Sequence, residues 1–273
     1  MRALALIAVT MLARAADLKV DHITVAVRDL AAAQRAFAEA GIETEFGGKH
    51  ANGQTQMALS SFPDGSYLEI IAPQPGANVA PHYWSKFMLN DAGPCAWAIA
   101  SADIAADRER LQKAGVAVRS QRNGRTRPDG VELKWETVDA GPGTPGSFFP
   151  FLIHDETPRE RRVYPSGKPT TTKISGVRFV VIAVKNLQDA IAQYRAAFHL
   201  AEPKMEHNRA WFPGTPVILE AGLADRLKQF GEAPCAFVLA SDQAWPGRAE
   251  TWFSETIHWI DPGGARIGIV HRP

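Results

Sequence analysis

The sequence predicts an α+β fold built from tandem βαβββ units, and three observations predict it. Residues Val20 through Leu30 are echoed by Val177 through Leu187 once a one-residue slip is allowed, and both stretches alternate in the manner of a strand before a helical pattern begins. Pro94-Cys95-Ala96-Trp97-Ala98-Ile99-Ala100-Ser101 recurs as Pro234-Cys235-Ala236-Phe237-Val238-Leu239-Ala240-Ser241. Residues 155–173, between the two pairs of starts, are polar and carry Pro158, Pro165, Gly167 and Pro169, a composition that suits a linker. Four units, the last abbreviated, fill the chain from about residue 18.

In the first strand Ile23, Val25 and Val27 share one face and His22, Thr24 and Ala26 the other, so the apolar set belongs under the helices. Asp29 can cap a helix over Leu30 to Ala40, with Leu30, Ala33, Phe37 and Ala40 on one side and Gly41 as its stop. Gln56 to Phe62 and Tyr67 to Ala72 read as strands. Leu68 and Ile70 share one face of the latter, while Tyr67, Glu69 and Ile71 share the other and set an acid among bulky neighbours. The second unit opens on the Pro94 strand, continues with a helix over Ala102 to Ala114 closed by Gly115, and adds strands at Val131 to Val138 and Phe148 to His154. In the second half Asn186 caps a helix over Leu187 to Phe198, strands follow at Pro216 to Leu219, Thr256 to Ile260 and Arg266 to Val270, and no convincing helix follows the Pro234 strand. The expected domains are 16–158 and 173–273, joined by 159–172, with 1–15 set apart as a signal peptide.

The amino terminus carries that last expectation: Met1-Arg2, an apolar run from Ala3 to Ala13, and Ala13-Arg14-Ala15 as a small-x-small cleavage site. Export implies a periplasmic or secreted protein; an ordinary first element in place of the signal implies a cytoplasmic one. An apolar run of that length is too short to span a bilayer, so no membrane insertion is expected. Thirty Lys and Arg against 29 Asp and Glu leave a formal charge of +1, which offers no basic field to a nucleic acid. Cys95 and Cys235 lack the spacing of a zinc or redox pair and read as small buried residues. At 273 residues the core needs no metal to hold it, so any metal is there for chemistry. Motifs for a nucleophile, a phosphate loop or a dinucleotide are absent from the sequence, which removes covalent catalysis and nucleotide binding.

Paired βαβββ units resemble the vicinal oxygen chelate superfamily, the glyoxalase, bleomycin-resistance and extradiol-dioxygenase group. Several strings look like its glyoxalase-like branch: residues 21–30, Gly47-Gly48-Lys49-His50, residues 62–72, Arg127-Pro128-Asp129-Gly130 through Trp135, and Pro150-Phe151-Leu152-Ile153-His154. The resemblance covers residues 18–155 well and the second half through the repeat. It implies two cupped mixed-sheet barrels with helices on the convex faces and a metal or ligand in the concavity.

The resemblance also implies a site. Chelation in the superfamily draws on the first and last strands of two units, positions that fall here at His22, Glu69, Trp97 and His154. Tryptophan cannot ligate, so His22, Glu69 and His154 are the expected metal ligands, for a divalent ion such as Zn, Ni, Mn or Fe. The corresponding positions of the second half are Phe179, Glu220, Phe237 and His271, of which two could bind a metal; that half is expected to be a support. A lone histidine is more often a core donor than a ligand, and Glu69 beside His22 shifts that balance. His50 is placed at the rim, with the exposed loop histidine as its plain alternative. Arg125 and Arg127 flank a Pro-Asp-Gly turn, either as a solvated hairpin or as an anion clamp, and Arg127 with His50 is expected to orient substrate. Trp97, Trp135 and Tyr67 are expected to wall the substrate or to pack the core, and His82, Tyr83 and Trp84 to close over the cup or to make a domain contact.

Two functions remain open. One is an enzyme acting on a small carbonyl substrate by metal-assisted isomerase, epimerase or lyase chemistry, with Glu69 and His50 as catalytic groups. The other is a metal-free binding protein of the drug-sequestering type, for which Trp97 speaks. Members of the superfamily often pair, which makes a homodimer the expected assembly.

Overall fold

The computed structural model describes residues 18–272; the expected signal peptide lies outside them. The first half runs β1 (Val20–Ala26), α1 (Leu30–Glu39), β2 (Glu45–Lys49), β3 (Thr55–Ser61) and β4 (Tyr67–Pro73), then α2 (Ser85–Met88), β5 (Gly93–Ala100), α3 (Ile104–Lys113), β6 (Val118–Thr126), β7 (Glu132–Ala140), β8 (Phe151–Asp155) and α4 (Arg159–Val163). The second half runs β9 (Gly176–Ala183), α5 (Leu187–Phe198), β10 (Lys204–Glu206), β11 (Arg209–Trp211), β12 (Val217–Glu220), α6 (Ala224–Phe230), β13 (Ala233–Ser241), β14 (Arg248–Trp252), β15 (Glu255–Trp259) and β16 (Ile267–His271). Each half forms one sheet of eight strands, ordered β2-β3-β4-β1-β5-β8-β7-β6 and β10-β11-β12-β9-β13-β16-β15-β14. The two orders are identical when the second is renumbered, which is the doubled βαβββ architecture expected from the repeats. The fourth unit lacks its helix, since β13 leads to β14 without one.

Local chemistry sets the elements. The Asp29 side chain accepts from the Ala32 N–H at 3.0 Å and starts α1, and Asn186 does the same for α5 through the Gln188 and Asp189 N–H groups. Leu30, Ala33 and Phe37 are the buried stripe of α1, spaced as a helix requires. They meet Ile23, Val25, Leu68 and Ile70 in an apolar cluster that continues into the second half through Val180, Ile182, Tyr194 and Phe198. The two halves thus share a core. Arg226 of α6 ties them further, donating to the Ala92 and Pro94 carbonyls of the first half and to Pro234 of the second.

The sequence reading left out β2, β6, β10, β11 and β14, although a unit of one helix and four strands requires them. Residues 159–163, assigned to a linker, form α4, whose arginines reach back into the first half. Cys95 and Cys235 are both free thiols and buried.

Candidate active site

A strand turns alternate side chains to opposite faces, so once Ile23 and Val25 are committed to the helices, His22 and Thr24 must face the other way. The parallel pairing of β1 with β4 sets His22 opposite Tyr67 and Thr24 opposite Glu69. On the other side, β6 contributes Gln121, Asn123, Gly124 and Arg125, while β7 contributes Trp135, Thr137 and Asp139 and β8 contributes Phe151 and Ile153, every second residue in these two strands. Together with His50 and the loop residues His82, Tyr83 and Trp84 these groups line a cavity of about 250 Å³ in the concave face of the first sheet.

The floor is a buried ionic network. Asp21 is fully buried and accepts from His22 Nδ1 at 2.6 Å and from Arg162 at 3.0 and 2.8 Å, and it also pairs with Arg159. Burial opposes ionisation of Asp21, yet the Arg162 charge and the His22 and Arg162 hydrogen bonds outweigh it and hold the carboxyl well below the ordinary carboxylate range. Arg162 further donates to Asp155 and, at 2.8 Å, to the Tyr67 hydroxyl. Tyr67 in turn stacks on the His22 imidazole, with centroids 4.7 Å apart and planes 13° from parallel. The His22 ring is therefore clamped from one edge and one face.

Glu69 and His50 line the same cavity. Glu69 Oε2 accepts from the Thr24 hydroxyl at 3.1 Å, and Glu69 Oε1 lies 3.6 Å from His50 Nε2. His50 Nδ1 is 2.8 Å from the Thr55 hydroxyl, which fixes the ring. Burial lowers the His50 pKa, Arg125 and His22 push the same way, and Glu69 opposes, so the imidazole is held neutral at neutral pH. A carboxyl and a neutral imidazole thus share one cavity wall, an arrangement suited to moving a proton.

Several expected residues stand elsewhere. Trp97 is opposite Ile23 in the β1–β5 ladder and so faces the helices; it is fully buried in the core and walls no cavity. His22 is opposite Ala98, and Cys95, Ala96 and Ala98 of β5 pack on the cup side with Phe151 and Ile153. His154 alternates with Phe151 and Ile153, lies outside the cavity lining, and bonds the Ser101 carbonyl through Nδ1 at 2.9 Å. Arg127 is also outside the cavity: it pairs with Asp129 and donates to the carbonyls of Arg161, Tyr164 and Pro165. Tyr67, Trp135, His50, His22 and Glu69 all line the one cavity. Asp21, although it opens the string 21–30, and Arg162 were missed as site residues, because their contact spans 141 positions.

A chelated divalent ion is implied by the fold, and the donor chemistry does not fit it. The first unit offers His22 and Glu69, but the second presents Ala98, Phe151 and Ile153 where further ligands would come from. Among the described residues, groups of three or more His, Cys, Asp or Glu side chains placed to hold a metal are absent. The second cup is filled by its own side chains: Glu220 pairs with Arg209 at 2.6 Å and Arg266 at 3.0 Å, and the Arg209 guanidinium lies 3.8 Å from the Trp252 ring centroid. His271 is exposed at the end of β16.

A doubled βαβββ sheet with one open, polar cup defines the class of vicinal oxygen chelate proteins. The family model described as "Glyoxalase-like domain" matches residues 20–198, more than half of the chain, and the chain belongs to that family. No curated protein matches the chain significantly. Among solved structures it is similar to a hypothetical protein from Staphylococcus aureus (16% identity, 92% of this chain and 98% of that one, TM-score 0.67). It is also similar to a Mn(II)-bound glyoxalase from Novosphingobium aromaticivorans (11% identity, 94% and 83%, TM-score 0.58) and to a mutant 4-hydroxymandelate synthase from Streptomyces coelicolor (11% identity, 94% and 93%, TM-score 0.57). At such identities the likeness is one of fold.

Proposed function

We propose that the first cup is the active site of an enzyme that shifts a proton on a small carbonyl compound, chemistry of the isomerase, epimerase or lyase kind. The observation that carries this reading is the Glu69–His50 pair, 3.6 Å apart on the wall of the cup and each fixed from behind by a threonine hydroxyl. A binding cup requires shape and apolar walls; it has no need of an acid–base pair held in register. In the proposed step a Glu69 oxygen takes the proton from the carbon beside the carbonyl, the C–H electron pair moves to the carbonyl oxygen, and the proton returns to carbon or to a neighbouring oxygen. His50, neutral in its buried setting, can accept or supply the proton that completes the exchange. His22, held by Asp21 and Tyr67, presents a fixed imidazole to the carbonyl side. The metal route is not taken here, because the second unit supplies alanine and apolar side chains in place of ligands.

The reading is tested by incubating the protein in heavy water with small 2-oxo acids, 2-hydroxy ketones and 2-hydroxy aldehydes. Deuterium should enter the carbon beside the carbonyl of at least one compound, as followed by proton NMR. Failure to exchange any member of the panel, together with ligand-dependent thermal stabilisation, would support the binding-protein reading instead.

A further inference from the structure

A buried guanidinium without a carboxylate is costly, and such side chains are paired in folded proteins. The first half follows that rule at Arg162 and Arg127, and the second half at Arg178, Arg209 and Arg266. Arg226 has no acid but is bonded to three carbonyls. Arg125 has neither. It is 7% exposed, lines the cavity, and makes one hydrogen bond, from Nη1 to the Gly47 carbonyl at 2.8 Å. Among the described residues it forms no ion pair, Glu69 included, so most of its five N–H donors are left for whatever enters the cavity. Gly48, whose φ of +118° favours glycine, lies beside it.

From this unpaired guanidinium we infer that the substrate is a small carboxylic acid whose carboxylate pairs with Arg125 while its carbonyl end lies toward Glu69 and His50. The inference rests on the reading of this cavity as the substrate site. A carboxylate matches the guanidinium fork and supplies the charge the protein omits. Trp135 and Tyr83 also line the cavity and offer aromatic surface to the rest of the substrate. The neighbouring acid Asp139 is drawn off by Arg119 at 2.8 Å and by Gln121 at 2.8 Å.

The test compares 2-oxobutyrate with its uncharged counterpart 2-oxobutanamide, titrated calorimetrically against wild type, Arg125→Gln and Arg125→Lys, with circular dichroism to confirm the fold. Wild type should bind the acid at least about tenfold more tightly than the amide, the size of one charge-assisted hydrogen bond. Arg125→Gln should erase that preference. Arg125→Lys, which keeps the charge and loses the fork, should retain part of it, and this decides the matter if the glutamine variant does not fold. Equal affinity for acid and amide in wild type, including no detectable binding of either, or an undiminished preference in the glutamine variant, would overturn the inference. An acid preference without deuterium exchange would leave the Arg125 seat standing and remove the proton-transfer reading; exchange without preference would do the reverse.

Discussion

Arg162 of α4 donates to both carboxylate oxygens of Asp21, at 3.0 and 2.8 Å, across 141 residues of chain, and both side chains are buried. Each is the other's reason for being tolerated in the interior. Through Asp21 the pair also fixes the His22 imidazole on the cavity floor.

Removing Arg162 should therefore destabilise strongly. Arg162→Met leaves Asp21 with only the half-buried Arg159 as cationic partner, and urea unfolding should show a loss of about 3–5 kcal/mol. The same pair predicts acid sensitivity. Because the folded carboxyl is held below its ordinary value, its contribution is present above the unfolded pKa of about 3.9 and is lost as pH falls through the folded value. A variant within about 1 kcal/mol of wild type would contradict this assignment.

His82 predicts a second, milder pH window. Burial lowers it to about 4, with His50 acting in the same direction and Glu69 opposing, and its Nδ1 accepts from the Trp84 N–H at 3.1 Å. The unfolded chain takes up a proton near pH 6.5 and the folded one does not until about 4. The corresponding stability is present above pH 6.5 and is lost as pH falls toward 4. Urea midpoints at pH 7 and pH 4.5 should differ less in His82→Gln than in wild type; the residual difference belongs in part to His50, which is lowered too.

The two expected tryptophans should separate. Trp97→Ala removes a fully buried core side chain and should cost about 3–5 kcal/mol in chemical denaturation. Trp135→Ala, on the half-buried cavity wall, should leave stability within about 1 kcal/mol and weaken ligand binding. The opposite pattern would return Trp97 to the site.

Residues whose placement follows from their own strand were legible. His22 and Glu69 lie on the faces that alternation assigns, because Ile23, Val25, Leu68 and Ile70 must go under the helices. Alternation also carried the correction for Trp97, since Trp97 and Ile99 alternate with Ala96 and Ala98; the family position outweighed it. The β1–β5 ladder has register shifts at Val20/His22 and at Thr24/Val25, so counting along the chain does not carry a position from one unit to the next. His154 fails similarly, one residue off the face of Phe151 and Ile153. The α4 arginines gave no signal: five residues rich in charge, next to a proline, have no apolar period, and their partners are far away in sequence. Arg125 and Arg127 looked alike, and only the fold shows that one is satisfied and the other is not.

On the proposed reading, proton transfer takes place at Glu69 in the first cup and not at Glu220, the buried acid of the second, which by strand register stands where Ile71 stands in the first. The most direct measurement is the rate of deuterium incorporation, by proton NMR, for the best substrate of the panel with wild type, Glu69→Gln and Glu220→Gln. Glu69→Gln should lose at least about 100-fold, the scale of a general acid–base group, while Glu220→Gln, although less stable, should exchange at close to the wild-type rate where folded. Full exchange by Glu69→Gln, or loss confined to folded Glu220→Gln, would contradict the account.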